Sequence, residues 1–142
     1  MDSTEITDEV IAFARERLSR LPVAKYVGMR LDSLSNGSAV ISLEMHEGIS
    51  QPSGIMHGGI TATLIDTAMA FALRTIIGAG PDTATVDLTV HYLRPIATGR
   101  AVCRAKVLRA GRRFYTISAE VFDENENLAA HGISTYTVIK KE

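Results

Sequence analysis

The sequence predicts an α+β domain in which an antiparallel sheet wraps one long buried helix, and three observations carry that expectation. After His57 comes GGITATLIDTAMAFALRTII, apolar or small almost throughout, long enough for a helix of about 20 residues. Strand-like runs separated by short turn signals flank it, two before and four after. The chain has 142 residues, 46% of them hydrophobic, which suits a single domain with one core.

Taken in order, residues 4–20, TEITDEVIAFARERLSR, read as an amphipathic helix. Thr4 is its expected N-cap, Ile6, Val10, Phe13, Ala14 and Leu18 form its apolar stripe, and Pro22 ends it. Residues 1–22 thus form a helical extension to the domain that spans 1–142. Strands follow at Met29–Ser35 and Ser38–Met45, joined by Asn36-Gly37, a strong hairpin signal. Ala39, Ile41, Leu43 and Met45 give the second strand one buried face. Residues 47–56, EGISQPSGIM, read as a loop, and Gly78-Ala-Gly-Pro81 stops the long helix. Beyond it Ala84, Val86, Leu88, Val90 and Tyr92 alternate with Thr85, Asp87, Thr89 and His91 up to Arg94-Pro95. Turn signals at Thr98-Gly99, Ala110-Gly111 and Asp123–Asn127 separate three further strands around 100–109, 112–122 and 128–139.

Composition narrows the function classes. No apolar run reaches the roughly 18 residues of a membrane span, and the acidic N-terminus lacks the basic and apolar regions of a signal peptide. A lone cysteine, Cys103, excludes an internal disulfide and fits a reducing compartment, so the cytoplasm is the expected location. A net charge of −1 argues against a general nucleic-acid binder. The charge is unevenly spread, however. No acid lies between Asp87 and Glu120, where Arg94, Arg100, Arg104, Lys106, Arg109, Arg112 and Arg113 supply seven of the 15 Lys and Arg. Such a stretch suits either a small phosphorylated ligand or a solvated sheet face neutralised from elsewhere in the fold.

The chemistry centres on the junction Met56-His57-Gly58-Gly59. Two glycines at a helix N-terminus allow close approach of a substrate to unpaired N–H groups, which with the helix dipole can hold an oxyanion. The plainer reading is that the glycines only let the helix pack tightly. Asp66 shifts the balance, being the only acid between Glu47 and Asp82. A carboxylate in apolar surroundings costs several kcal/mol unless partnered, which marks it as a catalytic candidate. Gly58 and Asp66, eight residues apart on one helix, are separated by about 12 Å along the axis. An oxyanion donor and a base must each come within roughly 3 Å of the reacting atoms. Two antiparallel copies of the helix about a two-fold axis would meet that demand, placing the site at a homodimer interface.

The segments HGGITATLIDTAMA, TATVDLTVHYLRPIATG and LRAGRRFYTISAEVFDENENLAAHG resemble the hotdog-fold acyl-CoA thioesterases. They resemble specifically the branch of phenylacetate-pathway (PaaI-like) enzymes and mammalian thioesterase superfamily member 2. The resemblance covers about residues 28–139. It implies a hotdog fold, a long central helix wrapped by a curved antiparallel sheet, in homodimers and commonly homotetramers. It implies acyl-CoA as substrate, with coenzyme A part of the substrate and no separate cofactor. Asp66 matches the catalytic carboxylate, as general base or nucleophile, and Gly58 the backbone donor to the thioester carbonyl. His57 matches the histidine beside that donor, and Thr85 falls where relatives place a hydroxyl near the attacking water. Gln51 stands where many relatives have asparagine, one methylene shorter. Gly59 and Arg94 join the implied substrate-binding set, and Arg112 and Arg113, beside the Gly111 turn, match residues that meet coenzyme A phosphates.

His46, His91 and His131 read as surface or interface residues, and no His/Cys/Asp/Glu spacing suggests a metal site. A serine hydrolase is disfavoured because no Gly-x-Ser-x-Gly elbow occurs. The rivals to thioester hydrolysis are a hotdog hydratase or dehydratase, whose Asp/His spacing this helix lacks, and a non-catalytic acyl-CoA sensor. For a ligand merely held, a carboxylate is a poor neighbour.

Overall fold

A computed structural model describes residues 5–139, leaving Thr4, the expected N-cap, outside the described residues. The first helix, α1 (Asp8–Arg20), is capped instead by Thr7, whose hydroxyl accepts the Val10 N–H at 3.3 Å. Pro22 does not simply end a helix. It opens a second one, α2 (Pro22–Val27), because a missing N–H costs nothing in a first turn. Gly28, at φ 86°, closes α2 in the left-handed conformation.

The hairpin β1 (Arg30–Ser35) and β2 (Ser38–Glu44) forms around Asn36-Gly37 as the sequence demands. The loop that follows contains a short 3-10 turn at Glu47–Ile49 and a bridge between Ser50 and Met56. The central helix α3 (Gly58–Ile77) is followed by β3 (Asp82–Tyr92), β4 (Arg100–Ala110), β5 (Phe114–Phe122) and β6 (Leu128–Ile139). All pairings are antiparallel, and the six strands lie in the order β1-β2-β4-β5-β6-β3. β3 and β4 are therefore not a hairpin. The chain leaves α3 along the far edge of the sheet, then crosses to its centre.

Inward side chains of the sheet, among them Ile41, Leu43, Cys103, Val107, Ile117 and Val121, are fully buried with Leu64, Ile65, Met69 and Leu73 of α3. Gly132 lets β6 approach the helix, because a Cβ there would lie 2.8 Å from Ile65 Cγ2. The Gly37 N–H donates to Thr75 Oγ1 at 2.7 Å, which ties the hairpin to the same helix.

Three further expectations need correction. α3 is the one helix among the described residues long and apolar enough to cross a membrane, and it serves here as the core helix. Nor is it buried all round: Ala62, Thr63, Asp66 and Ala70, a stripe at helical spacing, are only half-buried. The alternation read along β3 is also interrupted. Its register on β6 shifts between Thr85 and Asp87, so Val86 is the extra residue of a β-bulge. Thr85 pairs with buried Tyr136, while Leu88 pairs with buried Ser134. Thr85 therefore shares the helix-facing side with Leu88, Val90 and Tyr92, opposite to the side that unbroken alternation assigns it.

Candidate active site

Asp66 sits in the open stripe of α3. The carboxylate is not stranded in hydrocarbon: both of its hydroxyl partners come from the sheet. Thr85 donates to Asp66 Oδ1 at 2.8 Å, and the Tyr136 hydroxyl donates to the same oxygen while lying 2.6 Å from the Asp66 carbonyl. Oδ2 receives no hydrogen bond among the described residues. One carboxylate oxygen is thus anchored and the other left to act. Burial, and then the hydrogen bond to Asp66, raise the Tyr136 pKa well above its ordinary value, so the phenol stays protonated and a donor at neutral pH. The bulge at Val86 is what turns Thr85 toward this oxygen.

The junction before α3 is built differently. The His57 N–H donates to the Ile49 carbonyl at 2.9 Å, and the Met56 N–H to that of Ile96 at 2.7 Å, which fixes the entry to the helix. His57 is the N-cap. Its Nδ1 accepts the Gly59 N–H at 2.9 Å, so a neutral ring carries its proton on Nε2. This corrects the expectation that both glycine N–H groups stand free. The Gly59 amide is spoken for, and the Gly58 amide alone lacks an acceptor among the described residues. Gly58 is also held from behind, since the Tyr92 hydroxyl donates to its carbonyl at 2.7 Å.

These groups line two separate cavities. One, of about 310 Å³, contains Asp66, Thr85 and Tyr136. The other, of about 340 Å³, contains Gln51, Gly58, Tyr92 and Arg94. Gln51 lines it from a tight turn in which its N–H donates to the Ile55 carbonyl and its carbonyl accepts the Gly54 N–H. Within one chain the structure brings Thr85 to Asp66, and Gln51 and Arg94 to Gly58, but it does not bring the two groups together. Arg112 and Arg113 line a third cavity beyond the C-terminal end of α3, with Ile77 and Pro81. Arg113 lies over the Phe114 ring at 5.5 Å.

The basic stretch itself divides. Arg100 is paired with Asp32 and donates to Ser42 Oγ at 2.7 Å, a structural role, while Arg104 lies 5.2 Å from the centre of the Phe122 ring. His46 has its Nε2 at 3.1 Å from the Val27 carbonyl, and His91 faces His131 across β3 and β6. No three His, Cys, Asp or Glu side chains converge as metal ligands among the described residues.

Sequence reasoning missed Tyr136 and Tyr92, both counted among strand residues. Their signal was a phenol on an inward face, where a hydroxyl needs a partner.

Comparison with known proteins identifies the fold and the family. The chain is 31% identical to the conserved protein PA5202 from Pseudomonas aeruginosa, covering 87% of this chain and 98% of that one at a TM-score of 0.82. The PaaI protein of the E. coli phenylacetic acid degradation operon shares 21% identity and the fold, with a TM-score of 0.87 over 95% of this chain and 96% of that one. The 1,4-dihydroxy-2-naphthoyl-CoA hydrolase of Listeria monocytogenes is 25% identical over 81% of this chain and 94% of its own length. The model of the thioesterase superfamily matches residues 53–130, more than half of the chain, from the turn after Gln51 to the first residues of β6, and so this protein belongs to the thioesterase superfamily and has its hotdog fold.

Proposed function

We propose that the protein hydrolyses acyl-CoA thioesters at sites assembled from two copies of the chain. The observation that carries this reading is the half-anchored carboxylate of Asp66, with Oδ1 held by two hydroxyls and Oδ2 open to a cavity. In this reading Oδ2 takes a proton from water as the water attacks the thioester carbonyl carbon. The Gly58 N–H of the other copy, at the N-terminus of its α3, holds the developing oxyanion. Collapse of the tetrahedral intermediate expels the coenzyme A thiolate, which takes up the proton, leaving a free acid. Gln51 and Arg94 belong to the oxyanion half, and His57 fixes which glycine amide is available. Arg112 and Arg113 are assigned to the coenzyme A phosphates.

The two-copy arrangement is supported by β3. It is an edge strand of 11 residues that contains neither proline nor lysine, and Val86 and Tyr92 on it are each 55% exposed. Such an edge invites pairing with a second strand. Antiparallel pairing of two β3 strands would set the Tyr92 end of one copy, and with it Gly58, beside the Asp82 end of the other. The family membership and the similarity to the 1,4-dihydroxy-2-naphthoyl-CoA hydrolase of Listeria monocytogenes support the substrate class.

The test is release of free thiol from a panel of acyl-CoAs by the purified protein and by Asp66→Asn. Wild type is expected to turn over at least one member. The variant is expected to keep its circular dichroism spectrum and lose roughly 10²–10⁴ in kcat, the range for loss of general acid–base help. A variant within threefold of wild type would sink the assignment of Asp66.

A further inference from the structure

The Asp66 cavity continues past the carboxylate along one face of α3, through Thr67, Ala70 and Phe71 to Arg74. Its opposite wall comes from the N-terminal segment, Leu21 and Val23, which lies outside the part of the chain matched to the family. Arg74 is only 4% exposed. Its Nη1 donates to the Gly78 carbonyl at 3.1 Å and the Pro81 carbonyl at 2.5 Å, and the guanidinium lies 5.3 Å from the centre of the Phe13 ring. Nε and Nη2 have no acceptor among the described residues. The nearest acid, Asp82, is already paired with Arg17 at 3.2 Å. The far end of the cavity therefore holds two cations against one anion, and burial followed by the Arg17 charge pulls the Arg74 pKa below its ordinary value. The spare donors are not sealed in the interior, where the one buried side-chain polar atom without a partner among the described residues is Asp32 Oδ2, and they remain open to an acceptor that enters the cavity.

We infer that this cavity is the acyl pocket and that Arg74 selects acyl groups ending in a carboxylate. The inference rests on the thioesterase reading and names its substrate class. A carboxylate fits because it accepts two parallel, charge-assisted bonds from one guanidinium and restores the charge balance. Asp66 and Arg74 are eight residues apart, about 12 Å along the helix axis, so a thioester at one and a carboxylate at the other bracket a chain of medium length. Leu21, Val23, Ala70 and Phe71 offer the methylene groups between them an apolar lining.

The experiment uses paired coenzyme A thioesters of six and eight carbons, each ending in either a methyl group or a carboxylate. Wild-type kcat/KM is expected to be at least about tenfold higher for the carboxylate-ended member of a pair, a modest share of a charge-assisted bidentate contact. Arg74→Gln is expected to abolish or invert that ratio. Because Arg74 also binds the carbonyls that close α3, the exposed-edge variant Arg17→Gln serves as a second probe. It frees Asp82 to neutralise Arg74 and should lower the ratio severalfold. A wild-type preference for methyl-ended chains, or a ratio unmoved by either substitution, overturns the inference alone. Failure to hydrolyse any acyl-CoA overturns the thioesterase reading and this inference with it.

Discussion

The two cavities along α3 solve opposite electrostatic problems. Around Gly58 the chain presents donors: a free backbone amide, the Gln51 side chain and the exposed Arg94, with a helix dipole behind them. Around Asp66 it presents an acceptor, one carboxylate oxygen whose twin is pinned by Thr85 and Tyr136. Under the proposed function each cavity would supply half of what thioester hydrolysis needs, and about 12 Å of helix keeps the halves of one chain apart. On that proposal the comparison teaches that the chemistry is divided between places that a second copy would join.

The sharpest attempt to break that division is subunit complementation. Asp66→Asn disables one half-site and Gly58→Val the other, since a branched side chain at Gly58 adds bulk where even a Cβ would touch the Tyr92 ring at 3.4 Å. Each homodimer is expected to be inactive. Refolded together, about half of the dimers are mixed, each with one intact site, so about a quarter of wild-type activity should return. Activity no greater than the sum of the separate variants, in mixed dimers verified by mass, would place both residues in one chain's site.

A smaller effect sharpens the acceptor half. Tyr136→Phe and Thr85→Val each remove one of the two donors to Oδ1, and each is expected to lower kcat about tenfold, with Thr85→Ser retaining most activity. Tyr136→Phe should also cost about 1–3 kcal/mol of stability, because the half-buried Asp66 carboxylate loses a hydrogen bond from a buried hydroxyl. The sign with pH follows from the raised Tyr136 pKa. The wild-type advantage is complete below the ordinary tyrosine pKa near 10 and declines as pH rises above it, so the two proteins should converge in stability under alkaline conditions. Chemical denaturation at pH 7 and at alkaline pH checks both statements.

The smallest effect concerns the third cavity. Replacing Arg112 and Arg113 together by alanine is expected to raise KM for acyl-CoA severalfold with kcat little changed, and added salt should mimic the substitution. Thioesters of truncated pantetheine, which lack the nucleotide, should respond to neither. Equal losses on both substrates would mean that the arginines support the fold.

Much of this was legible before any coordinates. Asn36-Gly37 placed the first hairpin, and a long apolar run ended by Gly78-Ala-Gly-Pro81 placed α3, because both are local properties of the chain. Asp66 and Gly58 stood out for the same reason, a carboxylate inside an apolar helix and a glycine pair at its start. The pairing of Thr85 with Asp66 was a different matter. It depends on a one-residue bulge at Val86, which inverts the inside and outside of β3 and cannot be read from alternation. Tyr136 is remoter still, 70 residues from its carboxylate partner and aligned with it only by the β5, β6 and β3 register.

By itself, then, the sequence determined the six strands and the long core helix in their order, though not α2, and it marked Gly58 and Asp66 as the candidates on that helix. Capping, turn preference and hydrophobic period act over a few residues, and the chain states them openly. Tertiary structure decided which face of β3 looks inward, which oxygen of Asp66 is free, which glycine amide His57 leaves available and that Arg74 ends a cavity with donors to spare. These outcomes turn on strand register and on contacts between residues far apart in the chain, where a shift of one residue reverses the face a side chain presents.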